Sequence, residues 1–319
     1  VLILDRAQVE ELLDLDALVD ALATAMADLS AGRASVPRRN LATVGTAGLL
    51  AAMPGYLPSQ GVLAAKLVLV FPGNAPKGVE THQAVVAVFD PDTGVPLAVM
   101  DGAAITALRT AAGSALATRL CARRDARVLA IIGTGVQARS HARVVPRVRN
   151  LAEILVAGRT PAKVDAFAAE IGARPAATYA EAIAGADIVC CCTHASEPVV
   201  RREWLRPGVH VNSVGLTAGR ELDPAVFAGA LVVVESRSAA IGAYPNGAAD
   251  LTAAVESQLL REIEVREIGE LVEGLRTGRD DDRQITVYRS VGVAAQDAAA
   301  AGLVLAAAHV RGVGTEVAL

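Results

Sequence analysis

Aromatic side chains are nearly missing from this sequence. Phe, Tyr and Trp make up 3% of 319 residues, with a single Trp. A core of that kind must be built from Ala, Val, Leu and Ile, packed closely because the side chains are small. Cysteine is also sparse: Cys121 and the run Cys190-Cys191-Cys192 are the four present. Neighbours on one strand point to opposite faces and make poor disulfide partners. No zinc-type spacing appears either, so no metal is expected and the cysteines read as small buried strand residues in a reducing cytosol. No dense Lys/Arg block occurs and the formal net charge is −4, which argues against a nucleic-acid partner. The apolar stretches are short and interrupted, which argues against a membrane span. The chain opens on an acidic, helix-like segment without the features of a signal peptide, so the expected location is the cytoplasm.

What is present is a 53% hydrophobic, 20% charged chain, long enough for two modest domains. In "DRAQVEELLDLDALVDALATAMADLSAG", Leu15, Leu18, Leu22, Met26 and Leu29 recur at helical spacing. The spacing predicts one helix, with Asp5 as its N-cap and Gly32 as its stop. Strand-like pieces follow, "GLLAAM", "GVLAAKLVLVF" and "HQAVVAVFD", the last turning through Asp90-Pro91-Asp92-Thr93-Gly94 into "GVPLAVMDG". An alanine-rich helix is expected over about 103–119, with Asp101 as its cap. From Arg127 onward, apolar strands alternate with helical patterns, the grammar of a parallel sheet with right-handed crossovers. Pro146 should end or kink the first of these helices. The acidic "GRDDDR" reads as a solvated turn, and "QITVYRSVGVAAQDAAAAGLVLAAA" as a short strand and a long helix. The expected fold class is α/β: a Rossmann-type doubly wound parallel sheet over residues 116–289, plus an α+β domain over 1–115 to which 290–319 return.

The stretch Gly133-Thr134-Gly135-Val136-Gln137-Ala138 fits G-x-G-x-x-A between a β-run and a helix. Gly133 permits the turn, Gly135 lets backbone approach a pyrophosphate, and Ala138 lets the helix pack on the strand. The first helical N–H groups would face the anion. At the end of the next strand a reader of a ribose 2′-hydroxyl would be Asp or Glu. Here stand Gly158-Arg159-Thr160, with Lys163 one turn on. A guanidinium fork and a hydroxyl suit a 2′-phosphate, so the expected cofactor is NADP(H).

Lys66 lies inside the apolar "VLAAKLVLVF", either at a sheet edge with its amine in water or aimed into a site. Arg39 follows "ASVPR", and Arg109 interrupts a helix of small residues. Taken singly each arginine reads as structural. Together with Lys66 they would suit a carboxylate substrate, with forked guanidiniums for the anion and an amine beside the reacting atom. Burial between cations should lower the lysine pKa.

Four separated segments, "AAKLVLVFPGN", "HQAVVAVFDPDTGVPLAVMDGAAITALRTAAGSALAT", "IIGTGVQA" and "VYRSVGVAAQDAAAA", resemble the ornithine cyclodeaminase/mu-crystallin family, in the family's order, from about 36 to 308. The resemblance implies a Rossmann domain, a dimerisation and substrate domain built from both chain ends, and a homodimer. It places the carboxylate-binding arginines at Arg39 and Arg109, with Arg38 as the alternative to Arg39, and the active-site lysine at Lys66. His82, Thr110, Thr193, Val214 and Ser290 fall near the cofactor, and Asp101 and His194 are weaker candidates for the proton transfer. The cyclodeaminases and alanine dehydrogenases of the family carry an aspartate in a Val-Gly-x-Asp setting. This chain reads Val214-Gly215-Leu216-Thr217, and the loop before Glu221-Leu222-Asp223 is short. Elimination and ring closure need a base that Thr217 cannot supply, whereas reducing a preformed imine needs a hydride, a carboxylate clamp and a proton source. The expected activity is therefore NADPH-dependent reduction of a small cyclic ketimine carboxylate. The alternatives are an amino-acid dehydrogenase, a cyclodeaminase, or an NADPH-dependent ligand binder of mu-crystallin type.

Overall fold

A computed structural model describes residues 1–318 and divides into two compact units. The first holds Val1–Arg109 and the chain from Val293 onward; the second is Thr110–Gly292. The borders fall at 109/110 and 292/293 rather than at 115/116 and 289/290, the first of them inside a continuous helix.

The first unit opens with β1 (Leu2–Leu4), α1 (Arg6–Leu12) and α2 (Leu15–Ser30). The expected single helix is thus two. Asp14 breaks it by taking extended backbone and accepting from the N–H groups of Asp16 and Ala17, which starts a second helix. Asp5 caps α1 in a capping box with Gln8. There follow β2 (Asn40–Val44), β3 (Gly48–Leu57), β4 (Val62–Val70), β5 (His82–Phe89), β6 (Pro96–Asp101) and α3 (Gly102–Cys121), which Asp101 caps through the Ala104 N–H at 2.7 Å.

The second unit contributes β7 (Val128–Ile132), α4 (Val136–Val144), β8 (Glu153–Ala157), α5 (Pro161–Ile171), β9 (Arg174–Pro175), α6 (Tyr179–Ala184), β10 (Ile188–Cys191), β11 (His210–Ser213), β12 (Leu231–Val234), α7 (Arg237–Ala240), α8 (Ala249–Glu256), β13 (Arg266–Glu267), α9 (Ile268–Val272) and β14 (Thr286–Arg289). The chain then returns to the first unit as α10 (Ala294–Arg311) and β15 (Thr315–Glu316). Pro146 ends α4 in a short 3-10 turn.

In the first unit the sheet order is β15-β1-β6-β5-β4-β3-β2, antiparallel except for the β1–β6 pair. α10 lies across β3 and β4, and its small residues let it come close: a Cβ on Gly302 would sit 2.6 Å from Val62 Cγ2. Val62, Ala64 and Lys66 alternate toward the covered face, where the partners of Lys66 across the sheet are Met53 and Val86. Lys66 is therefore mid-sheet and pointed inward, not at an edge.

In the second unit the order is β13-β12-β14-β11-β10-β7-β8-β9, all parallel. Alternate strand residues feed two separate apolar cores, one on each face. This is a doubly wound Rossmann-type sheet whose order reverses between β7 and β10, where such sheets take their ligands. Arg279, which the sequence placed in a solvated turn, instead donates to the carbonyls of Cys121 and Gly208, while Asp280, Asp281 and Asp282 stay exposed. Among the described residues no helix is long and apolar enough to cross a membrane.

Candidate active site

Lys66 in the first unit is 2% exposed, so its charge demands a partner. The partner is Asp297 on α10. Lys66 Nζ lies 2.8 Å from both carboxylate oxygens, hydrogen bonded to Oδ1 and in ionic contact with Oδ2. Thr106 Oγ1 stands at 3.4 Å. Arg109, on the next turn of α3, donates from Nε to Asp297 Oδ1 at 3.0 Å and from Nη1 to Gln296 Oε1 at 2.8 Å. Burial pushes the Lys66 pKa down to about 8. Asp297 opposes that shift, while the Arg109 and Arg39 charges add to it. Burial alone would raise the Asp297 carboxyl, but Lys66 and Arg109 together hold it below its ordinary value. Lys66 thus keeps its proton at neutral pH and can release it easily, a setting suited to a general acid.

Arg39, immediately before β2, is half-buried and its charge reaches Lys66, whereas Arg38 is exposed. Two expectations need correction here. Lys66 lies against an anion as well as cations. Arg109 does not present an idle fork, because two of its three nitrogens already serve Asp297 and Gln296. His82 starts β5 and shares the covered face with Lys66, its Nδ1 3.4 Å from Thr81 Oγ1.

In the second unit the glycine turn follows β7. Gly133 has φ +120°, and a Cβ there would sit 2.5 Å from the Cys192 carbonyl oxygen. The turn is pinned from below by the Gly133 N–H donating to Ala157 O at 2.8 Å. Arg139 Nη1 holds the Thr134 carbonyl at 2.8 Å. Gly135, the N-cap of α4, gives no side-chain cap, and a Cβ on it would meet open space. Val136 is exposed and Gln137 Oε1 is buried without a hydrogen-bond partner. Uncapped N–H groups and bare space over a glycine fit a bound pyrophosphate. Arg159, Thr160 and Lys163 are exposed beyond β8. Thr160 is the N-cap of α5, yet its hydroxyl makes no capping bond. Thr193 and Val214 follow β10 and β11, next to the turn along the sheet edge. Thr110 is buried on α3. The Ser290 hydroxyl is already committed to Glu235 at 2.5 Å, so it offers a cofactor less than its position promised. His194 is exposed.

Thr217 stands where the family's aspartate would be, and the carboxylate the fold brings beside the Val214-Gly215-Leu216-Thr217 turn is Glu221. Its oxygens accept from the Thr193 N–H and hydroxyl at 2.9 and 2.6 Å, the Ser213 hydroxyl at 2.7 Å and the Gly215 N–H at 2.8 Å. All four donors are protein groups, so this acid is not available as a base. Thr217 donates to Ala195 O at 3.1 Å.

Sequence reasoning missed Gln296 and Asp297. The signal was there: they are the two polar residues in "VAAQDAAAAGLVLAAA", and an acid on so apolar a helix needs a buried cation. The four thiols are buried and shifted up, Cys121 and Cys190 to about 12, which makes them unreactive. Among the described residues no cluster of His, Cys, Asp or Glu could hold a metal. A concavity of about 570 Å³ beside Arg149 and Glu153 opens at the start of β8, the edge opposite the glycine turn. Its arginines are already engaged, Arg149 with four carbonyls around the end of α3 and Arg174 with Glu153.

The family model described as ornithine cyclodeaminase/mu-crystallin family matches residues 1–311. The chain is 37% identical to ketimine reductase mu-crystallin of Mus musculus over 264 residues, 81% of this chain and 80% of the relative. It is 34% identical to a Delta(1)-pyrroline-2-carboxylate reductase of Bacillus cereus, over 99% of both chains. Among solved structures, Thermococcus litoralis Delta(1)-pyrroline-2-carboxylate reductase in complex with NADH and L-proline gives a TM-score of 0.92 at 35% identity, covering 99% of this chain and 100% of that one. An archaeal alanine dehydrogenase dimer with bound NAD gives 0.91 at 30% identity, covering 99% and 98%.

Proposed function

The chain belongs to the ornithine cyclodeaminase/mu-crystallin family, and from that premise we propose that it is an oxidoreductase that reduces the C=N bond of a cyclic ketimine carboxylate with NADPH. The observation that carries this reading is the buried Lys66–Asp297–Arg109 group, with the Arg39 charge acting on it. Similar proteins include reductases of Delta(1)-pyrroline-2-carboxylate and ketimine reductases. Substrates of that class combine an acid with an electrophilic C=N carbon; Δ1-pyrroline-2-carboxylate and Δ1-piperideine-2-carboxylate are the candidates.

Arg39 and Arg109 bind the substrate carboxylate. Asp297 fixes Lys66 Nζ so that its proton points at the imine nitrogen. When bound, reduced nicotinamide supplies the hydride that goes to the imine carbon. The proton leaves Lys66 Nζ for nitrogen, giving the saturated imino acid, and Lys66 is recharged from solvent. No base for elimination is needed, in keeping with a Glu221 already saturated by its donors.

The preference for NADPH rests on Arg159, Thr160 and Lys163, exposed at the end of β8 with no acid among Gly158-Arg159-Thr160 to repel a 2′-phosphate. A panel of cyclic imine acids and keto acid–amine pairs, with NADPH and with NADH, followed at 340 nm, tests both parts. Turnover is expected with the cyclic imine acids. Arg159→Ala should weaken NADPH by about tenfold, as expected for losing a charge-assisted hydrogen bond, and leave NADH unaffected. Tight NADPH binding without turnover on any member of the panel would overturn the enzyme reading in favour of a ligand binder.

The uncovered face of the first unit's sheet is apolar, with Leu67 39% and Val85 44% exposed on strands flanked by Ala65, Leu69 and Ala87. A second copy of the chain covering that face would make the homodimer expected from the resemblance. Sedimentation should give twice the chain mass, and Leu67→Glu with Val85→Glu should give the monomer. A wild-type monomer at micromolar concentration would refute the dimer.

A further inference from the structure

We propose that Glu221 is a positioning residue for the nicotinamide half of the cofactor. Its carboxylate ties together the two strand-end loops on which that ring would rest. The inference builds on the reading above that the second unit binds a nicotinamide dinucleotide.

The Glu221 side chain is 1% exposed. A buried carboxylate is stable only when its lone pairs are filled. Glu221 fills them from two directions. Oε1 takes both donors of Thr193, in the loop after β10. Oε2 takes Ser213 Oγ and the Gly215 N–H, at the end of β11 and just beyond it. The carboxylate therefore spans two neighbouring strand ends. Only a carboxylate can do this, because an amide would turn an NH₂ group toward one of the two pairs of donors.

The strut is itself braced. Leu222 N–H donates to Asp250 Oδ2 at 3.1 Å, and Asp250 Oδ1 accepts from Arg289 Nε at 2.8 Å. Arg289 Nη2 then returns to the carbonyl of Gly215 at 2.8 Å. Gly215 is thus held at both its N–H and its C=O. No side chain fits there: a Cβ would lie 2.5 Å from Thr193 O and 2.6 Å from Glu221 Oε1. On its other side the Thr193 loop abuts the glycine turn, since a Cβ on Gly133 would be 3.5 Å from Thr193 Cγ2. The held loops are therefore continuous with the pyrophosphate turn. They lie on the β10–β11 side of the point where strand order reverses, while Arg159 lies on the β8 side. In a doubly wound sheet the two sides take the two halves of a dinucleotide. With adenosine ribose at Arg159, the nicotinamide ring falls to the loops that Glu221 joins.

The test separates the two halves. NADPH and 2′-phospho-ADP-ribose, which lacks nicotinamide, are titrated by calorimetry into the wild type and Glu221→Gln. The variant should bind NADPH about tenfold more weakly, the scale of one lost hydrogen bond to a charged group, and bind 2′-phospho-ADP-ribose as the wild type does. Ser213→Ala removes one donor without charge change and should show the same split at smaller size; it carries the test if Glu221→Gln fails to fold. Equal weakening of both ligands, or no weakening of NADPH, overturns the inference and leaves Glu221 a structural residue. A wild type that binds neither NADPH nor NADH overturns the functional reading, and this inference with it.

Discussion

Lys66→Met should lower the rate of imine reduction by about 10² to 10⁴-fold, the usual contribution of a positioned acid, while NADPH binding stays unchanged. Methionine keeps the length and apolar stem of the lysine and removes its proton. In the wild type, kcat for reduction should be flat below pH 8 and fall above it, because the ammonium, pushed down to about 8, is the form that donates. Oxidation of the saturated imino acid should show the opposite trend. The same shift gives a stability effect of definite sign. Between about 8 and the ordinary value of 10.5 the unfolded chain binds the Lys66 proton more tightly, so folding gains stability as pH rises through that window. A reduction rate that stays flat through pH 9.5, with chemistry rate-limiting, would remove Lys66 as proton donor.

Asp297→Ala should cost about 3–5 kcal/mol of stability, read as a lower urea midpoint, because it strands buried cations. Lys66 and Arg109 both lean on this carboxylate, and each is almost fully buried. Without it the lysine should lose its proton at lower pH, so the fall in reduction rate moves downward as well. Asp297→Asn keeps an oxygen acceptor and should cost less stability while still moving the pH profile. A wild-type urea midpoint in Asp297→Ala would mean that the ion pairs do not form in solution.

Much of this was readable beforehand, for reasons tied to range. The glycine turn is local: strand, two glycines, small residue and helix occupy neighbouring positions, and the fold places them as the spacing implies. Lys66 was readable as an anomaly but not as a pair, because its partner lies 231 residues away. Asp14 was hidden inside a continuous apolar periodicity, and capping by one side chain overrode that periodicity. Glu221 was counted as marking a short loop, since its donors come from residues 193, 213 and 215, which only the sheet brings together. The short helices α7, α8 and α9 carry too little repeat to be read from spacing. The Arg39 and Arg109 assignment came through resemblance, and the geometry adds what resemblance lacked: Arg109 is partly engaged inside the protein.

The placement of β14 has a consequence for how the molecule comes to exist. This strand is the last in sequence of its sheet, yet it is inserted between β11 and β12. α10, which carries Asp297 to Lys66, follows directly. During synthesis the ribosome therefore releases an open seam between β11 and β12, and an amine with no counterion, until nearly three hundred residues have emerged. Such late, long-range closure makes folding slow and leaves unpaired strand edges exposed meanwhile. A chain cut short before Thr286 would lose both the wedge of one sheet and the lid of the other.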